Sequence, residues 1–177
     1  METMNTINRR KSVRSYTGEK ISESILQIIL KAANEAPVGM GKYENVHLTV
    51  IENQELLQAI NEGAAKMFGQ PDMQPLYGAP TYILVSEKPS RDSIGNIEYS
   101  NAAIIVHNMA LAAVDLGVGT CYIWGATTAL GANPALIKQL NLPDGFFPCC
   151  GIIVGVTTEQ YTVRDFPDNR IETVYLQ

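Results

Sequence analysis

The sequence predicts an α+β domain in which helices surround a small sheet. Three observations carry that expectation. The segments with helical periodicity are separated by short β-rich runs. One helix, from about Ile97 to Leu116, is apolar nearly all round and must therefore lie at the centre. The glycine pairs Gly39/Gly41 and Gly117/Gly119 each follow a helix and precede a strand, the reverse of the strand, glycine turn, helix order of a dinucleotide-binding fingerprint. A Rossmann arrangement is thereby excluded.

Each element has a local cause. Thr3 to about Arg10 reads as a short helix, after which the chain extends. Ser22 is an N-cap for the first long helix, and Ile21 can staple onto Leu26. Ile25, Ile28, Ile29, Ala32, Ala33 and Ala36 are expected to form its buried face, and Pro37 ends it. Val46 to Ile51 alternates as a strand, and Asn53 caps a helix carrying Leu56, Leu57, Ile60 and Ala64. From Phe68 to Tyr77 the pattern dissolves into Gly, Pro and Asp, as in a loop that covers a site. Thr81 to Val85 reads as a buried strand. The alanines of the central helix permit close approach of another helix, within the domain or across a dimer. Gly117 supplies its C-cap, and Thr120 to Trp124 is the next strand. Asn133-Pro134 starts a helix through Leu140, Cys149 to Val156 is a strand, and Ile171 to Leu176 is a final extended arm.

Composition narrows the function classes. The 177 residues, 46% hydrophobic and 18% charged, make one ordinary globular domain covering 1–177 with room for a sizeable core. A net charge of −5 argues against nucleic acid or an anionic membrane as the main partner, since both demand a broad basic face. Met1 to Arg14 lacks the apolar stretch of a signal peptide, and the run Ala102 to Val114 is too short to span a bilayer, so the expected location is cytoplasmic. Three cysteines without CxxC spacing read as core thiols in a reducing compartment. His47 and His107 have no ligand spacing and read as structural, so no metal is expected.

Against this acidic background, Arg9-Arg10-Lys11-Ser12-Val13-Arg14 places four cations and a hydroxyl within six residues. In an extended segment Arg10, Ser12 and Arg14 project to one side. Guanidinium forks beside a hydroxyl match a phosphate monoester, which offers several acceptor oxygens and nearly two charges. On composition alone a solvated basic run, or a segment that merely looks like a phosphorylation site, is the more ordinary reading.

The chain resembles the nitroreductase family of flavin mononucleotide (FMN) enzymes from Arg9 to Arg170. Four features carry the resemblance: Arg10 to Tyr16; Ala36-Pro37-Val38-Gly39; Leu116 to Cys121 running into Trp124-Gly125; and Gly151 to Gly155 followed by Arg170. It implies a mostly antiparallel central sheet, and a homodimer with a swapped C-terminal arm and FMN in the interface. Arg10, Ser12 and Arg170 would hold the phosphate, with Lys11 beside the ribityl or phosphate portion and Arg14 at the pyrimidine edge of the ring. The Trp124-Gly125 turn would aim backbone N–H at flavin N5, and Pro37, Val38 and Gly39 would come from the other subunit. No catalytic side chain is expected, because the chemistry resides in the flavin. The implied reaction takes hydride from NAD(P)H and passes electrons to a small flat acceptor such as a nitroaromatic or quinone. The sequence departs from the family pattern at Gly41, Tyr43, Glu44 and Asn45, and has Asp168 where a basic residue is usual, which bears on substrate choice and phosphate clamping. Two other readings stay open on sequence: a flavin-holding protein with little turnover, and a module whose basic stretch docks a phosphorylated partner.

Overall fold

The computed structural model describes residues 2–167 and 169–177; Asp168 lies outside the described residues. A four-stranded antiparallel sheet forms the middle layer. Its strands are β1 (Val46–Ile51), β2 (Thr81–Glu87), β3 (Gly119–Ile123) and β4 (Phe147–Gly155), in the order β1-β2-β4-β3. The helices are α1 (Thr3–Arg9), α2 (Glu23–Asn34), α3 (Gln54–Phe68), α4 (Asn96–Asp115), α5 (Gly125–Gly131) and α6 (Pro134–Gln139).

Alternation along β2, buried at all seven positions, divides the core in two. Ile83 and Val85 join Ile152 and Val154 under α2 and α4. Tyr82 and Leu84 join Ile153, Cys121 and Ile123 under α3, α5 and α6. With apolar side chains on both faces, helices must cover both. The caps read from sequence do their work: Ser22 accepts from Ile25 N–H, Asn53 from Leu56 N–H, and Asn133 from Ala135 and Leu136 N–H. Gly69 and Gly117 adopt φ of +62° and +72°, closing α3 and following α4.

The structure corrects several expectations. Ile28 is 49% exposed, because the buried stripe of α2 is narrower than its apolar content and runs through Leu26, Ile29 and Ala33. His107, although it lies in the apolar central helix α4, is exposed. The helix α5 has no helical periodicity in its sequence to announce it. Its sequence, GATTALG, has a glycine at each end and two β-branched residues. Tertiary burial of Ala126, Thr127, Ala129 and Leu130 holds it. The arm Ile171 to Leu176 forms no strand within the chain and is exposed, Leu176 at 95%.

Candidate functional site

The extended segment after α1 is tied to the start of β3. Val13, fully buried, donates its N–H to Thr120 O (2.8 Å), and Tyr16 donates its hydroxyl to Val13 O (2.9 Å). Tyr16 lies across two glycines that leave room for it: a Cβ on Gly119 would stand 3.1 Å from the ring, and one on Gly155 3.0 Å. With Val13 turned inward, its neighbours Ser12 and Arg14 alternate to the other side. Ser12 is half-buried and Arg14 exposed.

Arg10 sits among residues from three parts of the chain. Its charge reaches His107 of α4, Tyr122 of β3, and Tyr161 and Arg164 of the C-terminal segment. Partial desolvation, against one side of an otherwise exposed residue, and then Arg10 hold the His107 imidazole below its ordinary pKa. Arg164 and Arg170 both stack on Phe166, with guanidinium carbons 4.4 and 4.6 Å from the ring centroid. Among the described residues no carboxylate forms an ion pair with Arg10, Arg164 or Arg170. Three guanidiniums are thus gathered without a paired carboxylate among the described residues, an arrangement suited to holding an anion with more than one negative charge.

Arg164 is the functional candidate that the sequence does not announce. It stands alone in a polar loop, and its place depends on Asn8, 156 residues away. Asn8 Nδ2 donates to Arg164 O (2.7 Å), Arg164 N–H donates to Asn8 Oδ1 (2.7 Å), and Arg164 Nε donates to Asn8 O (2.8 Å). No local pattern carries such a pairing.

Lys11 is engaged by Glu159 at 2.7 Å, and Glu159 also accepts from Arg14 N–H at 3.3 Å. The Arg14 guanidinium lies 5.7 Å from the Tyr77 ring centroid, facing the 69–78 loop. Its pKa is raised further, chiefly by a hydrogen bond with Tyr77 and then by nearby Cys121. Arg10 and Arg14 therefore occupy separate surroundings within one segment.

Trp124 and Gly125 lie at the far end of β3. From Thr120 to Trp124 the strand covers about 13 Å at its usual rise per residue. Gly125 begins α5, so its N–H has no carbonyl partner within the helix. A Cβ there would stand 3.4 Å from the Phe68 ring. Trp124, 65% exposed, lines an open cavity of about 260 Å³ with Tyr99, Thr127, Thr128, Phe147 and Cys149. The turn is braced from below. Thr127 donates its hydroxyl to Ile123 O (2.5 Å), so the Tyr82 hydroxyl must be the donor in the 2.7 Å Tyr82–Thr127 bond.

Pro37, Val38 and Gly39 are not brought to this cluster. Gly39 donates its N–H to Asn101 Oδ1 (2.9 Å) and abuts Ile97, on α4. Arg10 lies by His107, six residues along α4 and about 240° around it. One chain therefore presents these two sets of residues on different sides of the same helix.

Asn101 also donates through Nδ2 to Glu87 Oε2 (3.1 Å), while Glu87 Oε1, buried, accepts from no group among the described residues. Desolvation pushes the Glu87 carboxyl up to about 7 against the bond from Asn101, and the charge of Glu98 adds to the rise. Such a raised acid contributes stability that is complete below its unfolded pKa and lost as pH climbs through about 7. Glu87→Gln is accordingly expected to gain stability relative to wild type between pH 5 and pH 8, read from urea midpoints. An unchanged difference between the two pH values would contradict it.

Comparison with known proteins places the fold. The model of the nitroreductase family matches residues 7–156. An FMN reductase [NAD(P)H] of Bacillus subtilis (strain 168) is 28% identical over a 173-residue alignment that covers 87% of this chain and 65% of that protein. A nitroreductase with bound FMN from Bacteroides fragilis NCTC 9343 superposes with a TM-score of 0.81 at 27% identity, over 99% of this chain and 100% of the other. A nitroreductase with bound FMN from Desulfitobacterium hafniense DCB-2 has the same fold, with a TM-score of 0.84 at 24% identity over the whole of both chains.

Proposed function

The chain belongs to the nitroreductase family, and from that premise we propose that it is a homodimeric FMN oxidoreductase taking hydride from NAD(P)H and reducing a small flat acceptor, such as a nitroaromatic or a quinone. The observation that carries the reading is the set Arg10, Arg164 and Arg170, with no carboxylate paired to it among the described residues, together with the open aromatic cavity at the Trp124 turn. A ligand with a phosphate at one end and a flat ring at the other matches those two features, and FMN is such a ligand. Relatives named for FMN reduction or carrying bound FMN support the choice.

Bound FMN supplies the electron transfer, as acceptor of hydride and donor to the second substrate. The chain supplies binding, orientation and electrostatics. Arg10, Ser12 and Arg170 hold the phosphate, and Lys11, already fixed by Glu159, borders the ribityl portion. Arg14 stands at the pyrimidine edge, where a cation favours negative charge on the ring. Gly125 N–H, free of any helical partner, is the donor offered to N5 by the Trp124–Gly125 turn. The aromatic walls of the Trp124 cavity exclude water and favour a flat acceptor.

Arg14→Ala tests the ring assignment. Loss of a charged hydrogen bond on the order of 1.5 to 3 kcal/mol that favours only the reduced ring should lower the two-electron midpoint potential by tens of millivolts, about 30 mV per 1.4 kcal/mol. Spectroelectrochemical titration with FMN in excess reads it. An unmoved midpoint places Arg14 away from the ring.

The dimer assignment rests on Gly39 and Arg10 lying on different sides of α4, and on the exposed apolar arm. Ile171, Val174 and Leu176 are 81%, 74% and 95% exposed. A second copy would cover the arm and bring its Pro37, Val38 and Gly39 over the cofactor. Deleting residues 172–177 should shift light scattering towards monomer and loosen FMN retention; a monomer that retains flavin fully would contradict it. Cofactor identity is tested by heat release and chromatography. FMN is expected, and recovery of FAD, or of no flavin after supplementation, would overturn the proposal.

A further inference from the structure

The segment that brings Arg164 and Arg170 to α1 is lightly held. Besides the Asn8 bonds, it is anchored by Tyr161, whose hydroxyl donates to Val118 O (2.8 Å), and by the long bond from Arg9 Nη1 to Tyr161 O (3.5 Å). Its described residues pair with no strand, and beyond Arg164 they show one short-range backbone bond, Arg170 N–H to Pro167 O. What the segment delivers is electrostatically unfavourable. It sets two guanidiniums on one phenyl ring beside a third, Arg10, with no carboxylate paired to any of them among the described residues. The strain registers on Arg164, whose pKa is lowered by burial and then by the charges of Arg10 and Arg170. Arg164 is nonetheless aimed with care. Its Nε and its backbone N–H and C=O are all committed to Asn8, and no partner among the described residues takes its terminal Nη atoms.

An anion of nearly two charges changes the balance, converting mutual repulsion among three cations into attraction to a common centre. We propose that residues 161–170 form an anion-dependent clasp in which Arg164, held by Asn8, joins Arg10 and Arg170 on a phosphate monoester, and that binding of this group seats the segment on α1. The inference rests on the FMN reading above and extends it in two respects. It adds Arg164 to the phosphate ligands, in a chain that has Asp168 where a basic residue is usual, and it makes the docking of the C-terminal segment conditional on the phosphate, not on the flavin ring.

The experiment is hydrogen exchange over residues 161–171 of the full chain, with no ligand, FMN, riboflavin or inorganic phosphate, alongside affinities for FMN and riboflavin. FMN should slow exchange in the segment and riboflavin should not. Arg164→Gln should reduce the FMN-to-riboflavin affinity ratio about tenfold, the equivalent of one charged hydrogen bond, and leave riboflavin affinity unchanged. Arg164→Lys, which keeps the charge, should recover most of the ratio; a merely structural Arg164 would lose as much with Lys as with Gln. Equal protection by FMN and riboflavin, or an unchanged ratio in Arg164→Gln, overturns the clasp and leaves the flavin reading standing. Protection by inorganic phosphate in a protein that binds neither flavin upholds the clasp with the free anion as its ligand, and overturns the flavin reading.

Discussion

Arg10→Ala is expected to weaken FMN binding by one to two orders of magnitude and to leave the midpoint potential unmoved. The loss follows from removing a charged hydrogen bond worth about 1.5 to 3 kcal/mol, which is roughly a 10- to 150-fold change in affinity. The unmoved potential follows from where charge changes. A phosphate monoester carries the same charge whether the flavin is oxidised or reduced, so Arg10 stabilises both states alike. Removing Arg10 also relieves repulsion on Arg164, whose pKa it lowers, and so the loss should fall at the low end of the range. Riboflavin, which lacks the phosphate, should bind the variant as it binds wild type. Fluorescence titration with both ligands reads the difference. An equal loss for FMN and riboflavin would show that Arg10 serves the fold and not the phosphate.

The second large effect is expected at Gly151, in the middle of the sheet. A Cβ built there stands 2.6 Å from Tyr82 Cζ, closer than carbon atoms approach, and Tyr82 is fully buried. Gly151 lies opposite both Leu84 and Ile123 in the sheet, so neither backbone can retreat without breaking a ladder. Overpacking of this kind costs about 1 to 3 kcal/mol and occasionally more; with a whole ring displaced, Gly151→Ala should cost at least about 3 kcal/mol on that scale. The damage reaches the site, because the Tyr82 hydroxyl supports Thr127, which supports Ile123 O next to Trp124. Tyr82→Leu should rescue part of the loss. Urea denaturation of both single variants and the double variant then gives a coupling of at least about 1 kcal/mol, as expected for residues in contact. Simple additivity would contradict the clash.

The prediction at Gly151 also shows what kind of information a sequence holds. The caps at Ser22, Asn53 and Asn133 and the alternation of Val46 to Ile51 are local causes, and the elements they specify stand where the pattern puts them. The basic segment was legible for the same reason: its charges are neighbours in sequence. Gly151 is legible as the start of the Gly151 to Gly155 motif, but the reason for a glycine there is not, because its partner Tyr82 is 69 positions earlier and the two meet only through the pairing of β2 with β4. Arg164 was invisible for a similar reason, since its anchor is Asn8 at the other end of the chain. The helix α5 was missed because burial, and not propensity, makes it. Pro37 to Gly39 is a third kind of case. Its local motif is readable, but the residues that it would join lie on the other side of α4, and a single chain does not bring them together.

The most direct test of the central claim is an anaerobic titration of the FMN-loaded protein with NAD(P)H, following the visible absorption of oxidised flavin. The account predicts complete bleaching at about one NAD(P)H per flavin, the stoichiometry of a two-electron hydride transfer, with colour restored by a quinone in the absence of oxygen. A flavin that stays bound and fully oxidised under excess NADH and excess NADPH would contradict it.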